Sequence, residues 1–171
     1  MSAPHVRQSV DRVIERCTAN PDDVRGPGTP VIAIMEDGPR CRANKPHGTA
    51  IISTDMPVLI GGGCSGPSPG LIFRASLASY DATLITLHAA QLNTLEARLE
   101  GDPKAFSTLG FLGIDESIPA GEPSLRLVFH IGAENATPER LRELIRWVEA
   151  HSPVGDSMCQ ASPTKFKVET V

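Results

Sequence analysis

The stretch GPSPGLIFRASLASYDATLITLH, Gly66 to His88, decides the fold. It opens at the end of IGGGCSGPSPG (60–70), a loop rich in the two strongest breakers, and from Leu71 to about Leu92 neither Gly nor Pro interrupts the chain. Apolar residues fall on nearly all sides of the helix this implies, which is the pattern of a central, buried element.

Downstream, LEARLEG alternates, with Leu95, Ala97 and Leu99 on one face and Glu96, Arg98 and Glu100 on the other. SLRLVFHI repeats the pattern with Leu125, Leu127, Phe129 and Ile131 inward, and KFKVETV does so with Phe166 and Val168. All three read as half-buried strands of an antiparallel sheet with one wet face. Between the last two, Thr137-Pro138-Glu139 supplies a hydroxyl cap, a proline in the first turn and an acid near the positive end of a helix. Leu141, Leu144, Ile145 and Val148 give that helix its apolar stripe, and His151-Ser152-Pro153 closes it.

Upstream, VIAIM (31–35) and AIIST (50–54) are β-branched runs bounded by turn residues and read as strands. A polar loop with Arg40, Arg42 and Lys45 is expected between them. Val6, Val10, Val13, Ile14 and Cys17 make one helical stripe at 5–19, ended by ANPDDVRGPGTP. The order is helix, strands, central helix, strands, helix, strand, without regular βαβ alternation, so the fold class is α+β.

The chain has 171 residues, 40% of them hydrophobic and only 4% aromatic, which suits one domain with an aliphatic core. A net charge of −4 with interspersed signs argues against nucleic acid as a partner. No apolar run approaches the roughly 20 residues a membrane helix needs, and residues 1–20 lack a signal-peptide pattern, so a cytoplasmic protein without a membrane partner is expected. Cys17, Cys41, Cys64 and Cys159 lie far apart with no C-x-x-C, which signals free thiols and no metal. No cofactor motif is present, since GGGCSG lacks both the Gly-Lys-Ser/Thr of a phosphate loop and the Rossmann spacing. His151 beside Ser152 looks like a base beside a nucleophile, but adjacent helical residues point in different directions. His88, two turns beyond Tyr80, reads more simply as a hydrogen-bonded core residue than as a catalyst.

GPSPGLIFRASLASYDAT, GFLGID and TPERLRELIRWVEAHSPVGDSM, followed by a terminal strand, resemble the OsmC/Ohr family of osmotically induced and organic-hydroperoxide-resistance proteins. The resemblance runs from about Val31 to Val171. It implies an OsmC-like fold in which antiparallel sheets wrap long central helices and two subunits intertwine as a homodimer with sites at the interface. Residues 1–29, the helix and linker, would be an addition to a single OsmC-like domain whose family core is 30–171.

Family chemistry is thiol-dependent reduction of organic hydroperoxides, in which one cysteine becomes a sulfenic acid and a second resolves it. The first cysteine position falls on Tyr80 and the second on Ser152. The glutamate position falls near Gly70 and Leu71, and Arg40 or Arg42 are alternative matches to the arginine. Hydroxyls cannot climb the cysteine oxidation ladder, so peroxidase chemistry by the family route is not expected. What remains is a pocket for a small, largely apolar organic molecule, with Tyr80 and Ser152 at its centre and His88, Asp81, Phe111 and Leu112 as further pocket candidates. A relocated thiol at Cys64 or Cys159, or a non-catalytic structural or regulatory dimer, are the alternatives.

Overall fold

The computed structural model describes residues 3–21, 28–89, 94–101, 107–121, 124–160 and 163–170. The chain divides into two compact units, one spanning His5–Ala75 and the other running on from Ser76.

In the first unit, α1 spans Ala3–Ala19, and β1 (Ile32–Asp37), β2 (Arg40–Asn44) and β3 (Ala50–Thr54) form an antiparallel meander in the order β1-β2-β3. The polar loop expected at 40–45 is thus corrected to the middle strand. The cause is a two-residue turn: Asp37 pairs with Arg40 across Gly38 and Pro39, and Gly38 adopts φ +53°, where a side chain would be strained. Arg40 and Arg42 then point to one face of β2, and Cys41 and Ala43 to the other. After a single 3-10 turn at Val58–Ile60, α2 begins at Pro69 and ends at His88. The sequence reading carried this helix to about Leu92, and residues 90–93 lie outside the described residues.

In the second unit, β4 (Thr94–Gly101) and β5 (Leu125–Gly132) pair antiparallel over their full lengths. Ala97 faces Phe129 and Leu99 faces Leu127, while Glu96 meets His130 and Glu100 meets Arg126 on the other face. The alternation read from the sequence therefore sets the register, because a slip of one residue would put every leucine in water. The Leu95 side chain lies outside the described residues. A short helix, α3 (Thr108–Phe111), precedes β5, and α4 (Pro138–His151) starts where its cap predicts, with Thr137 Oγ1 accepting from Arg140 N at 3.3 Å.

An addition and a correction concern the last segments. Ser152 closes α4 where the sequence indicated and also opens a helix not expected there, α5 (Pro153–Cys159), accepting a hydrogen bond from Gly155 N at 3.0 Å. The terminal strand expected in KFKVETV is absent from residues 163–170, where Phe166 is 91% and Val168 84% exposed. Alternation alone does not make a strand; it needs a hydrogen-bonded neighbour, and among the described residues this segment has none.

In the single chain the buried residues of α2, Leu77, Asp81 and Ile85, form one stripe at i, i+4, i+8, while Leu71, Tyr80 and Leu87 are exposed. Among the described residues the fully buried apolar side chains are Ile85 and Val148.

Candidate functional site

The α2 stripe places Asp81 directly against Ser152. Both are almost out of water, Asp81 at 3% and Ser152 at 1% exposure, and the Ser152 hydroxyl is close enough to favour the ionised Asp81 carboxyl. Ser152 Oγ caps α5 by accepting from Gly155 N beside this residue of α2. Gly155 is required for that approach, since a Cβ there would lie 3.2 Å from both Cβ and Oγ of Ser152. One carboxyl oxygen, Asp81 Oδ1, is buried without a partner among the described residues. Desolvation pushes the Asp81 carboxyl above the usual carboxylate range, and the Ser152 hydroxyl opposes this in part.

Asp81 and Ser152 line a cavity of about 620 Å³. Leu99, Leu127 and Phe129 of the β4–β5 sheet, Leu77 of α2 and Ile145 of α4 supply apolar wall. Glu149, Asp156 and the Cys159 thiol reach it from α4 and α5. Its size suits a drug-sized organic molecule.

Of the residues singled out from sequence, Ser152 and Asp81 come together here. Tyr80, next to Asp81, turns about 100° away on the helix, is 39% exposed, and is not among the residues lining the cavity. His88 lies against Trp147 with ring centroids 3.6 Å apart and a tilt of 48°. His151 stacks on Trp147 at 4.3 Å, its Nδ1 2.7 Å from Trp147 O, so it has no part in a base–nucleophile pair with Ser152. Phe111 and Leu112 are exposed at α3 and the turn after it, and neither lines the cavity. Cys64 is exposed, with φ +51°, in the glycine loop.

Arg40 and Arg42 share Glu36, at 3.2 and 3.4 Å. Arg40 also borders a smaller polar hollow with Asp55, Gly62 and Ser65. Asp55 accepts from the backbone N–H of Met56, Gly63 and Ser65 and from the Ser65 hydroxyl, at 2.7 to 3.1 Å. These donors, Ser65 foremost, hold its carboxyl down to about 2. The breaker-rich loop that follows Asp55 is therefore ordered around one carboxylate.

Sequence reasoning missed Glu149 and the second helix that brings Asp156 and Cys159 to the cavity. The signal was available: Ser152-Pro153 followed by Asp156 repeats the cap, proline and first-turn acid recognised at Thr137-Pro138-Glu139.

The chain is similar in fold to an OsmC-like protein from Mycoplasma pneumoniae, with TM-score 0.61 and 17% identity over 79% of this chain and 89% of that one. It is similar also to a Psychrobacter arcticus protein assigned to the osmotic stress induced and detoxification response, with TM-score 0.56 and 17% identity over 78% of this chain and 89% of that one. A third is an organic hydroperoxide resistance protein OsmC from Legionella pneumophila, with TM-score 0.52 and 15% identity over 78% of this chain and 90% of that one. No family model and no curated protein matches the sequence. The fold is therefore an OsmC-like α+β fold, the class that the sequence resemblance implied. No helix among the described residues is long and apolar enough to cross a membrane.

Proposed function

We propose that this chain is an OsmC/Ohr-class protein of osmotic or oxidative stress that acts as a homodimer and binds a small, largely apolar organic molecule, without cysteine-based peroxidase turnover. The observation that carries the reading is the buried Asp81–Ser152 pair at an apolar cavity of ligand size. A hydroxyl beside a carboxylate can orient a polar end group while the leucines and Phe129 hold the rest. Ser152 stands where the family's second cysteine falls, and its oxygen cannot form a sulfenic acid or a disulfide.

The dimer is supported by the apolar residues left exposed along α2, and by the few fully buried apolar side chains among the described residues. Sedimentation should give twice 18.2 kDa; a monomer would refute the dimer.

The test of function is paired. Purified protein given cumene hydroperoxide and a dithiol consumes no peroxide, while a panel of small apolar ligands includes binders that Ser152→Ala weakens. A panel with no binder, or binders indifferent to Ser152→Ala, would remove the reading. One observation favours a second reading: Cys159, unlike Cys64, lines the cavity. Peroxide consumption that disappears in Cys159→Ser would establish a relocated thiol and sink the first reading.

A further inference from the structure

The walls of the Asp81 cavity are mostly apolar, and among the described residues every charge that lines it is negative: Asp81 comes from α2, Glu149 from α4 and Asp156 from α5. The Asp156 carboxylate accepts from the side-chain amide of Gln160. Independently of that cluster, Asp81 itself is almost fully buried, with Oδ1 unpartnered among the described residues. A buried acceptor left open carries a cost that native interiors rarely tolerate unless something fills it.

We infer that the cavity selects a small organic amine bound as its ammonium ion, the charged end at the Asp81 carboxylate and the hydrocarbon between Leu77, Leu127 and Phe129. This rests on the reading that the cavity takes small apolar molecules and adds the sign of their charge. An ammonium group is the complement that the site lacks, because it donates hydrogen bonds, carries the opposite charge and has no acceptor of its own to repel three carboxylates. A carboxylate or phosphate ligand would meet only like charge. A neutral alcohol satisfies Oδ1 without the charge term. Bringing an ammonium to Asp81 also offsets the desolvation that raises its carboxyl, so amine binding favours the ionised form.

The experiment is calorimetric titration of the full chain at neutral pH with hexylamine, hexan-1-ol and hexanoate, repeated in Asp81→Asn and Glu149→Gln. Hexylamine should bind about tenfold more tightly than hexan-1-ol, the gain of one charge-assisted hydrogen bond, with hexanoate weakest. Asp81→Asn should erase the amine's advantage over hexan-1-ol, with circular dichroism reporting the fold. The exposed Glu149→Gln should weaken the amine about twofold and keeps the charge test open if Asp81→Asn does not fold. Hexanoate binding as tightly as the amine would overturn the inference. So would Asp81→Asn binding hexylamine like the parent, or, where that variant does not fold, an amine affinity unmoved by both Glu149→Gln and salt. If hexan-1-ol binds and the amine binds no better, only the charge selection falls. If neither binds, the cavity reading falls with it.

Discussion

Asp55 and Asp81 are both buried aspartates, 4% and 3% exposed, and their surroundings drive them in opposite directions. Around Asp55 the chain supplies three backbone N–H groups and a hydroxyl, and the carboxyl is held down to about 2 from the usual 3.8. Around Asp81 it supplies one hydroxyl and apolar walls, and the carboxyl is raised, with one oxygen unpartnered. The first site is complete within the fold and orders a loop that would otherwise have no regular structure. The second is incomplete within the fold and faces a cavity. Burial of a charge therefore says little about role; whether its hydrogen-bond capacity is used up says more.

The largest effect expected breaks the finished side of this comparison. A Cβ at Gly62 would stand 1.8 Å from Met56 O, a backbone clash that nothing flexible can relieve. Gly62→Ala should cost on the order of 3 kcal/mol or leave the chain unfolded, as read by urea denaturation. Asp55→Asn should come next, because an amide hydrogen replaces an acceptor among four donors. Asp55's folded pKa lies below its unfolded value, so its contribution is present above pH 3.8 and is lost as pH falls toward 2. Acid titration of stability in the parent should show that loss, and in Asp55→Asn it should be missing.

On the open side, Ser152→Ala removes the α5 cap and the hydroxyl beside Asp81, a loss of about 2 kcal/mol by the same denaturation measurement. The smallest effect has the opposite sign. Because Asp81's folded pKa is raised, its favourable contribution exists below 3.8 and disappears as pH rises through the folded value, with Glu149 and Asp156 as the other acids lining the cavity. Asp81→Asn should therefore be slightly more stable than the parent at neutral pH, with the gap closing in acid. A clear destabilisation at neutral pH would mean that Asp81 is as complete as Asp55.

Much of the fold was legible because it is written in local periods: the alternation in β4 and β5, the uninterrupted run of α2, and the cap at Thr137. β2 was not, because Arg40 and Arg42 make a charged strand look like a loop, and its membership depends on the Gly38-Pro39 turn. The terminal alternation around Phe166 and Val168 misled for the converse reason, a local pattern that pairs with no strand among the described residues. At the site, Ser152 was found through the family resemblance and Asp81 as its titratable neighbour. Which of Tyr80 and Asp81 faces Ser152 is a matter of helix phase, fixed by what packs on α2 and invisible to motif matching.

Carbon-13 NMR titration of labelled aspartate carboxyls tests the contrast most directly. Asp55 should titrate near 2 and Asp81 above the usual 3.8, and added hexylamine should lower the Asp81 value while leaving Asp55 in place. Two carboxyls titrating together near 3.8, or an amine that moves neither, would contradict the account.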